Sequence, residues 1–186
     1  MAEITAAMVA KLREMSGAGM MDCKKALADA NGDVEAAMTA LRKKGAATAT
    51  NKSGKEAREG LIARYISPDG RKGVLVEVNC QTDFVARNEA FKTWADSVAE
   101  RLASNPQADF EAERVDQVAK IRENIQITRN ARMEVSGNGL IAAYIHTGAK
   151  VGVLVEVGAG KESTVASDDF KQLVKDITLQ IAAGHP

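Results

Sequence analysis

The chain reads as an α+β protein, with an N-terminal three-helix domain followed by a core of two related antiparallel strand-and-helix subdomains, the second incomplete. Three observations predict this. Apolar residues recur every three or four positions over residues 1–45. From Gly60 the period drops to two. The strings GLIARYI and GVLVEV, at 60–66 and 73–78, return as GLIAAYI and GVLVEV at 139–145 and 152–157, both displaced by 79 residues. The same displacement carries Phe91 onto Phe170, Lys92 onto Lys171, Val98 onto Ile177 and Leu102 onto Ile181, so the repeated unit is strand, strand, helix. What the copies share serves packing, because both must bury the same faces. What one copy alone carries is a candidate for function. After its second strand the first copy reads NCQTDFVARN, residues 79–88, where the second reads GAGKESTVAS.

In chain order, Thr5 caps a first helix in which Met8, Val9, Leu12 and Met15 form the apolar face until Ser16 and Gly17 stop it. A second helix covers about 19–30, with Met20, Cys23, Ala26 and Leu27 on one face and Asn31 with Gly32 closing it. Asp33 caps a third, which carries Val34, Ala37, Met38 and Leu41 and ends at Gly45. Residues 46–59 lose every large apolar residue and read as a partly helical linker. In the strand that follows, Leu61, Ala63 and Tyr65 face one way and Ile62, Arg64 and Ile66 the other. Ser67 to Gly70 then turns the chain back into the strand 73–78. Phe91, Trp94, Ala95, Val98, Ala99 and Leu102 stripe a helix that ends near Pro106. A further helix over about 110–123 leads to a strand at 125–135, and Gly137 to Gly139 starts the second copy. The domain division is therefore 1–45, a linker 46–59, a first core subdomain 60–136 and a second, 137–186.

Composition narrows the function. Of 186 residues, 45% are hydrophobic and 27% charged, with 25 basic against 25 acidic side chains. A net charge of zero argues against DNA or RNA as the main partner, since phosphate binding needs concentrated Lys and Arg. Glu3 and the lack of a sustained apolar run exclude a leader or membrane span from the reading, so a cytoplasmic protein is expected. Cys23 and Cys80 are far apart and expected as thiols rather than a disulfide. No pair among the two Cys and two His has metal-ligand spacing, so no metal is expected. The helix at 170–183 runs into Gly184, His185 and Pro186 with no third strand after it, so the second unit reads as unfinished and the chain as a shortened form.

Enzyme motifs are weak. GAGK at 158–161 has Val155 where a phosphate loop needs its first Gly and Glu162 where it needs Ser or Thr. GAGMM at 17–21 opens a helix and fits an anion site or, more simply, a tight turn. His146 has no Ser or carboxylate partner nearby in sequence. No catalytic residue and no cofactor is expected.

TDFVARN, residues 82–88, allows two readings. In one, Thr82 caps a helix that runs on into the next, and Phe84, seven residues before Phe91, lies on its buried stripe. In the other, Asp83 and Phe84 project from a strand-to-helix corner as an acidic tip beside an aromatic wedge that enters a partner's cleft. Met20 and Met21 raise a similar question, because adjacent helical residues point about 100° apart, leaving one free to be a contact.

Together these blocks resemble the elongation factor Ts family: GAGMMDCKKAL, NGDVEAAM and LRKKGA near the start, EVNCQTDFVARN, and GLIAAYIHTGAKVGVLVEV. The resemblance runs from residue 1 to about 183. It implies a ubiquitin-associated-like fold for the first three helices and nucleotide exchange on elongation factor Tu. It further implies that the corner of Thr82, Asp83, Phe84 and Val85 inserts near the partner's magnesium site. Arg13, Met20 and Met21 are implied to grip the same GTPase domain, and His146 to face another domain. Asn79, Cys80 and Gln81 are implied to hold the corner. Family members continue past Pro186 with a helical hairpin used in dimer contacts and then complete the second subdomain, so the resemblance leaves dimerisation and the stability of 139–186 open. Two other classes stay in view: a helical adaptor in which residues 1–50 alone bind, and an RNA-binding accessory.

Overall fold

The computed structural model describes residues 3–184. The chain forms two compact units, the first built from residues up to Glu56 together with Phe110–Ile125 and the second from Ala57–Asp109 together with residues from Gln126 onward.

The first unit holds α1 (Ala6–Ser16), α2 (Met20–Asp29) and α3 (Val34–Ser53). Thr5 accepts the Met8 amide at its Oγ1, and Gly17, at φ 66°, closes α1 with its amide on the Arg13 carbonyl at 2.8 Å. Asp33 caps α3 through the Glu35 and Ala36 amides. Val9, Leu12, Cys23, Ala26, Leu27, Ala37 and Leu41 form the core, with Val34 and Met38 packed against it. Two expected core residues stand outside it. Met15 is 55% exposed at the end of α1, and Met20, in the first turn of α2, is 54% exposed because the core begins one turn later at Cys23.

The third helix does not stop at Gly45, and the expected linker is helical as far as Ser53. Gly45 serves close approach instead: a Cβ placed there would lie 3.0 Å from the Ala119 Cβ. Ala119 belongs to α6 (Glu111–Ile121), so residues 110–125, read from sequence as part of the first core subdomain, pack with the N-terminal helices. Their last residues tie down the end of α3, where buried Asn124 donates from Nδ2 to the Lys55 carbonyl at 2.6 Å.

The second unit carries the repeat. Strands β1 (Glu59–Ile66), β2 (Lys72–Cys80) and β3 (Gln126–Glu134) form an antiparallel sheet in that order. Between β2 and β3 lie α4 (Asp83–Ala86) and α5 (Glu89–Ser104). β4 (Gly139–Ile145) and β5 (Gly152–Gly158) form a two-stranded sheet, followed by α7 (Glu162–Ala166) and α8 (Asp168–Gly184). The registers repeat with the sequence: Leu61 pairs Val78 and Tyr65 pairs Val74, while Leu140 pairs Val157 and Tyr144 pairs Val153. α5 packs on β1 and β2, with Val74, Val76 and Val78 of β2 and Phe91, Trp94, Ala95, Val98 and Ala99 of α5 all buried. The second copy is less covered. Phe170, Val174 and Thr178 of α8 are buried, but Ile177 and Ile181 are only half-buried. Leu173, at the position corresponding to Trp94, is 52% exposed against 8%.

The copies meet reciprocally. Ile62 donates its amide to the Ala149 carbonyl and Ile141 to that of Gly70, both at 2.8 Å, and each pair is the other shifted by the repeat. A Cβ on Gly73 would meet Ile141 at 2.5 Å, and one on Gly152 would meet Ile62 at 2.9 Å. Arg64 Nη1 reaches the carbonyl of its own counterpart, Ala143, at 2.6 Å. Contacts in which each copy gives what it receives define an approximate two-fold relation, as in an isologous dimer interface.

Candidate functional site

The corner begins where β2 ends. Asn79 is fixed at both ends of its amide: Nδ2 donates to the Glu59 carbonyl at 3.3 Å and to Glu77 Oε1 at 3.0 Å, and Oδ1 accepts from Thr128 Oγ1 at 2.7 Å. The buried Cys80 thiol donates to the Thr82 carbonyl at 3.1 Å. Gln81 is half-buried between them. Thr82, extended at φ −125° and ψ 151°, then caps α4 by accepting the Val85 amide at 3.5 Å.

Only four residues are helical before the chain breaks and restarts. Arg87 closes α4, and Asn88 opens α5 by accepting the Ala90 and Phe91 amides at 2.9 and 3.2 Å. That restart separates the two phenylalanines. Phe91 is 1% exposed beneath α5, whereas Phe84 stands 83% exposed at the tip of α4. A continuous helix would have placed both on one stripe, so the buried reading of Phe84 is overturned by the Asn88 cap. Ala86 is the residue of α4 that turns inward, and Val85 is half-buried.

Asp83 sits in the first turn of α4, where the helix dipole favours a carboxylate. Its Oδ2 lies 3.1 Å from Arg87 Nη2, with the two side chains 46% and 79% exposed. Such an ion pair is weak enough in water to be exchanged for a partner's group. Arg87 was not singled out from the sequence, although its spacing of four from Asp83 is the signal of a helical pair.

A cleft of about 460 Å³ beside the corner is lined by Glu59, Asp83, Ala86, Arg87, Lys92, His146, Gly148 and Lys150. His146 thus comes to the same depression as Asp83 although far from it in sequence. The His146 ring is exposed, with Nδ1 3.1 Å from the Tyr144 hydroxyl. Lys150 pairs with Glu59 at 2.6 Å, a contact between copies that no local pattern reveals.

The other candidates lie in the first unit. Arg13 is exposed on the last turn of α1, and Met20 and Met21 are both exposed, at 54% and 74%. The core face of α2 is Cys23, Ala26 and Leu27, so neither methionine serves it. GAGMM is a tight turn: Gly17 caps the end of α1 and Gly19 the start of α2. GAGK follows β5 as a loop leading into α7. Cys23 and Cys80 are buried and not in a disulfide. Among the described residues no group of three or more His, Cys, Asp or Glu is arranged to hold a metal ion, and no helix is long and apolar enough to cross a membrane.

A family model described as elongation factor TS matches residues 81–186, starting within the corner. The chain belongs to the elongation factor Ts family. Similar proteins include the elongation factor Ts of Nostoc punctiforme, 47% identical over 98% of this chain and 63% of its own length. That of Clostridium perfringens is 44% identical over 98% of this chain and 63% of its own, and that of Nitratidesulfovibrio vulgaris 42% identical over 98% and 64%. The chain therefore spans a little under two thirds of the length of these family members. The match covers the three-helix region and the repeat alike.

Proposed function

We propose that the chain is a guanine nucleotide exchange factor for elongation factor Tu, acting in the cytoplasm during translation elongation. The Asp83–Phe84 corner enters the GTPase domain beside its magnesium site and opens it to GDP release. One observation carries this reading: a large aromatic ring, 83% exposed, on a four-residue helix capped by Thr82, closed at Arg87 and cut off from the next helix by the Asn88 cap. Full burial of such a side chain is worth about 1.5–3 kcal/mol, which the free chain forgoes and a partner's cleft supplies. The short cap-to-cap helix limits the ordering cost of docking.

Exchange needs no bond-making group and no cofactor on this chain. A wedge that fits only the opened GTPase binds the nucleotide-free partner more tightly than the GDP-bound one. Linkage then requires GDP to weaken the wedge's binding by the same factor that the wedge weakens GDP. Asp83 contributes a carboxylate to this opening, and His146, on the same cleft, meets a second domain of the partner. The first three helices, which we read as a ubiquitin-associated-like fold, present Arg13, Met20 and Met21 to the GTPase domain. No DNA or membrane enters this reading.

The test is the release of a fluorescent GDP analogue from elongation factor Tu in a stopped-flow mixer, with the chain at rising concentration. Release that accelerates and saturates supports exchange. Binding to nucleotide-free elongation factor Tu that free GDP does not weaken contradicts it.

A further inference from the structure

Arg122 holds a backbone conformation that its own side chain disfavours. It closes α6 at φ 63°, in the left-handed region where a Cβ crowds the following carbonyl and Gly is the usual occupant. Its guanidinium reaches back to α2: Nη2 lies 2.7 Å from Asp22 Oδ2, while the other oxygen of that carboxylate takes Lys44 Nζ of α3 at 2.6 Å. One carboxylate thus ties three helices together.

The contact falls on the turn that presents the exposed methionines. A Cβ on Gly19, the N-cap of α2, would lie 3.2 Å from Arg122 Nη2, so the guanidinium covers the start of that helix. A Cβ on Gly17 would lie 2.6 Å from Lys120 Cε, so the neighbouring lysine stem covers the other end of the turn. Gly17, Gly19 and Asp22 bracket Met20 and Met21, and the last turn of α6 backs all three. An exposed ion pair adds little to stability by itself. An arginine kept in a glycine conformation at this spot is better explained by what it aims.

We propose that Arg122, through Asp22, is a positioning residue for partner binding: it fixes the first turn of α2 so that Met20 and Met21 are presented in one orientation to the partner GTPase. This rests on the exchange reading and extends it to a residue 100 positions from Asp22, the carboxylate through which it acts. Unpositioned, the two flexible thioether chains must be ordered at the moment of docking, and that cost appears as weaker binding.

The test is binding of the whole chain to nucleotide-free elongation factor Tu by titration calorimetry, as a cycle between Arg122→Gly and the double variant Met20→Ala/Met21→Ala. Glycine suits the backbone at 122, so Arg122→Gly keeps the parent's thermal midpoint. Its Kd rises about fivefold, the equivalent of roughly 1 kcal/mol. In the background lacking both methionines it adds nothing, the signature of one residue acting through others. A Kd unchanged by Arg122→Gly alone overturns the inference, as does an equal effect with and without the methionines. A folded parent that does not bind at all overturns the exchange reading and this inference with it.

Discussion

Phe84 and Phe91 are phenylalanines seven positions apart, one exposed and one buried, and each predicts the behaviour of its own variant. Phe91→Ala empties a site that is 1% exposed and lowers unfolding free energy by about 3–5 kcal/mol in urea denaturation. Phe84→Ala removes a ring that touches little of its own chain and shifts stability by no more than about 0.5 kcal/mol. A loss near the Phe91 value would restore Phe84 to the core. Asp22 gives a second prediction at this scale. The hydrogen bond from Lys44, helped by the Lys44 and Arg122 charges and opposed by partial burial, holds its carboxyl below the ordinary value. A carboxyl so lowered contributes stability that is present above its unfolded value of about 3.9 and lost as pH falls through the folded one. The stability difference between the parent and Asp22→Asn, followed by urea denaturation from neutral pH into acid, therefore shrinks on acidification. A difference constant with pH contradicts the pairing of Asp22 with Lys44 and Arg122. The difference between the two copies made Phe84 a candidate, but its exposure was not legible, because helical periodicity runs through Arg87 and Asn88 as though no break were there.

Among the elements, the decisive one is the break between α4 and α5. Asn88 takes two amides at the start of α5 and so ends the run that would have buried Phe84. Asn88→Ala costs about 1 kcal/mol of stability by the usual value of an N-cap, measurable as a lower urea midpoint. No shift would mean that tertiary packing alone sets the break. Most elements were legible from period and caps: Thr5, Asp33 and Gly17 mark helix ends where the sequence puts them. Gly45 misled because glycine both stops helices and admits close neighbours, and only the partner, Ala119, tells which. The placement of α6 with the N-terminal helices was hidden for the same kind of reason. Its apolar face shows that it packs but not on what.

At the scale of the molecule, the repeat gives the second unit its architecture. The displacement of 79 was plain in the sequence and predicted two like subdomains, yet the way they meet depends on Gly73 and Gly152, which in sequence look like the first residues of strands. Gly73→Ala would set a Cβ 2.5 Å from Cγ2 of buried Ile141 and is expected to cost about 1–3 kcal/mol by overpacking. Gly137→Ala, with nothing within 4 Å, serves as the control and stays within about 0.5 kcal/mol. Equal thermal midpoints for the two variants would contradict the reciprocal contact. That contact also brings Lys150 to Glu59 and His146 to the cleft beside Asp83, so the second copy lends side chains to the corner of the first. The most direct measurement of the central claim compares the parent with Phe84→Ala in the release of a fluorescent GDP analogue from elongation factor Tu, both chains checked for equal thermal midpoints. Acceleration by the parent, with most of it lost in the equally stable variant, is the result expected of an exposed wedge; acceleration undiminished in Phe84→Ala would place the activity elsewhere on the chain.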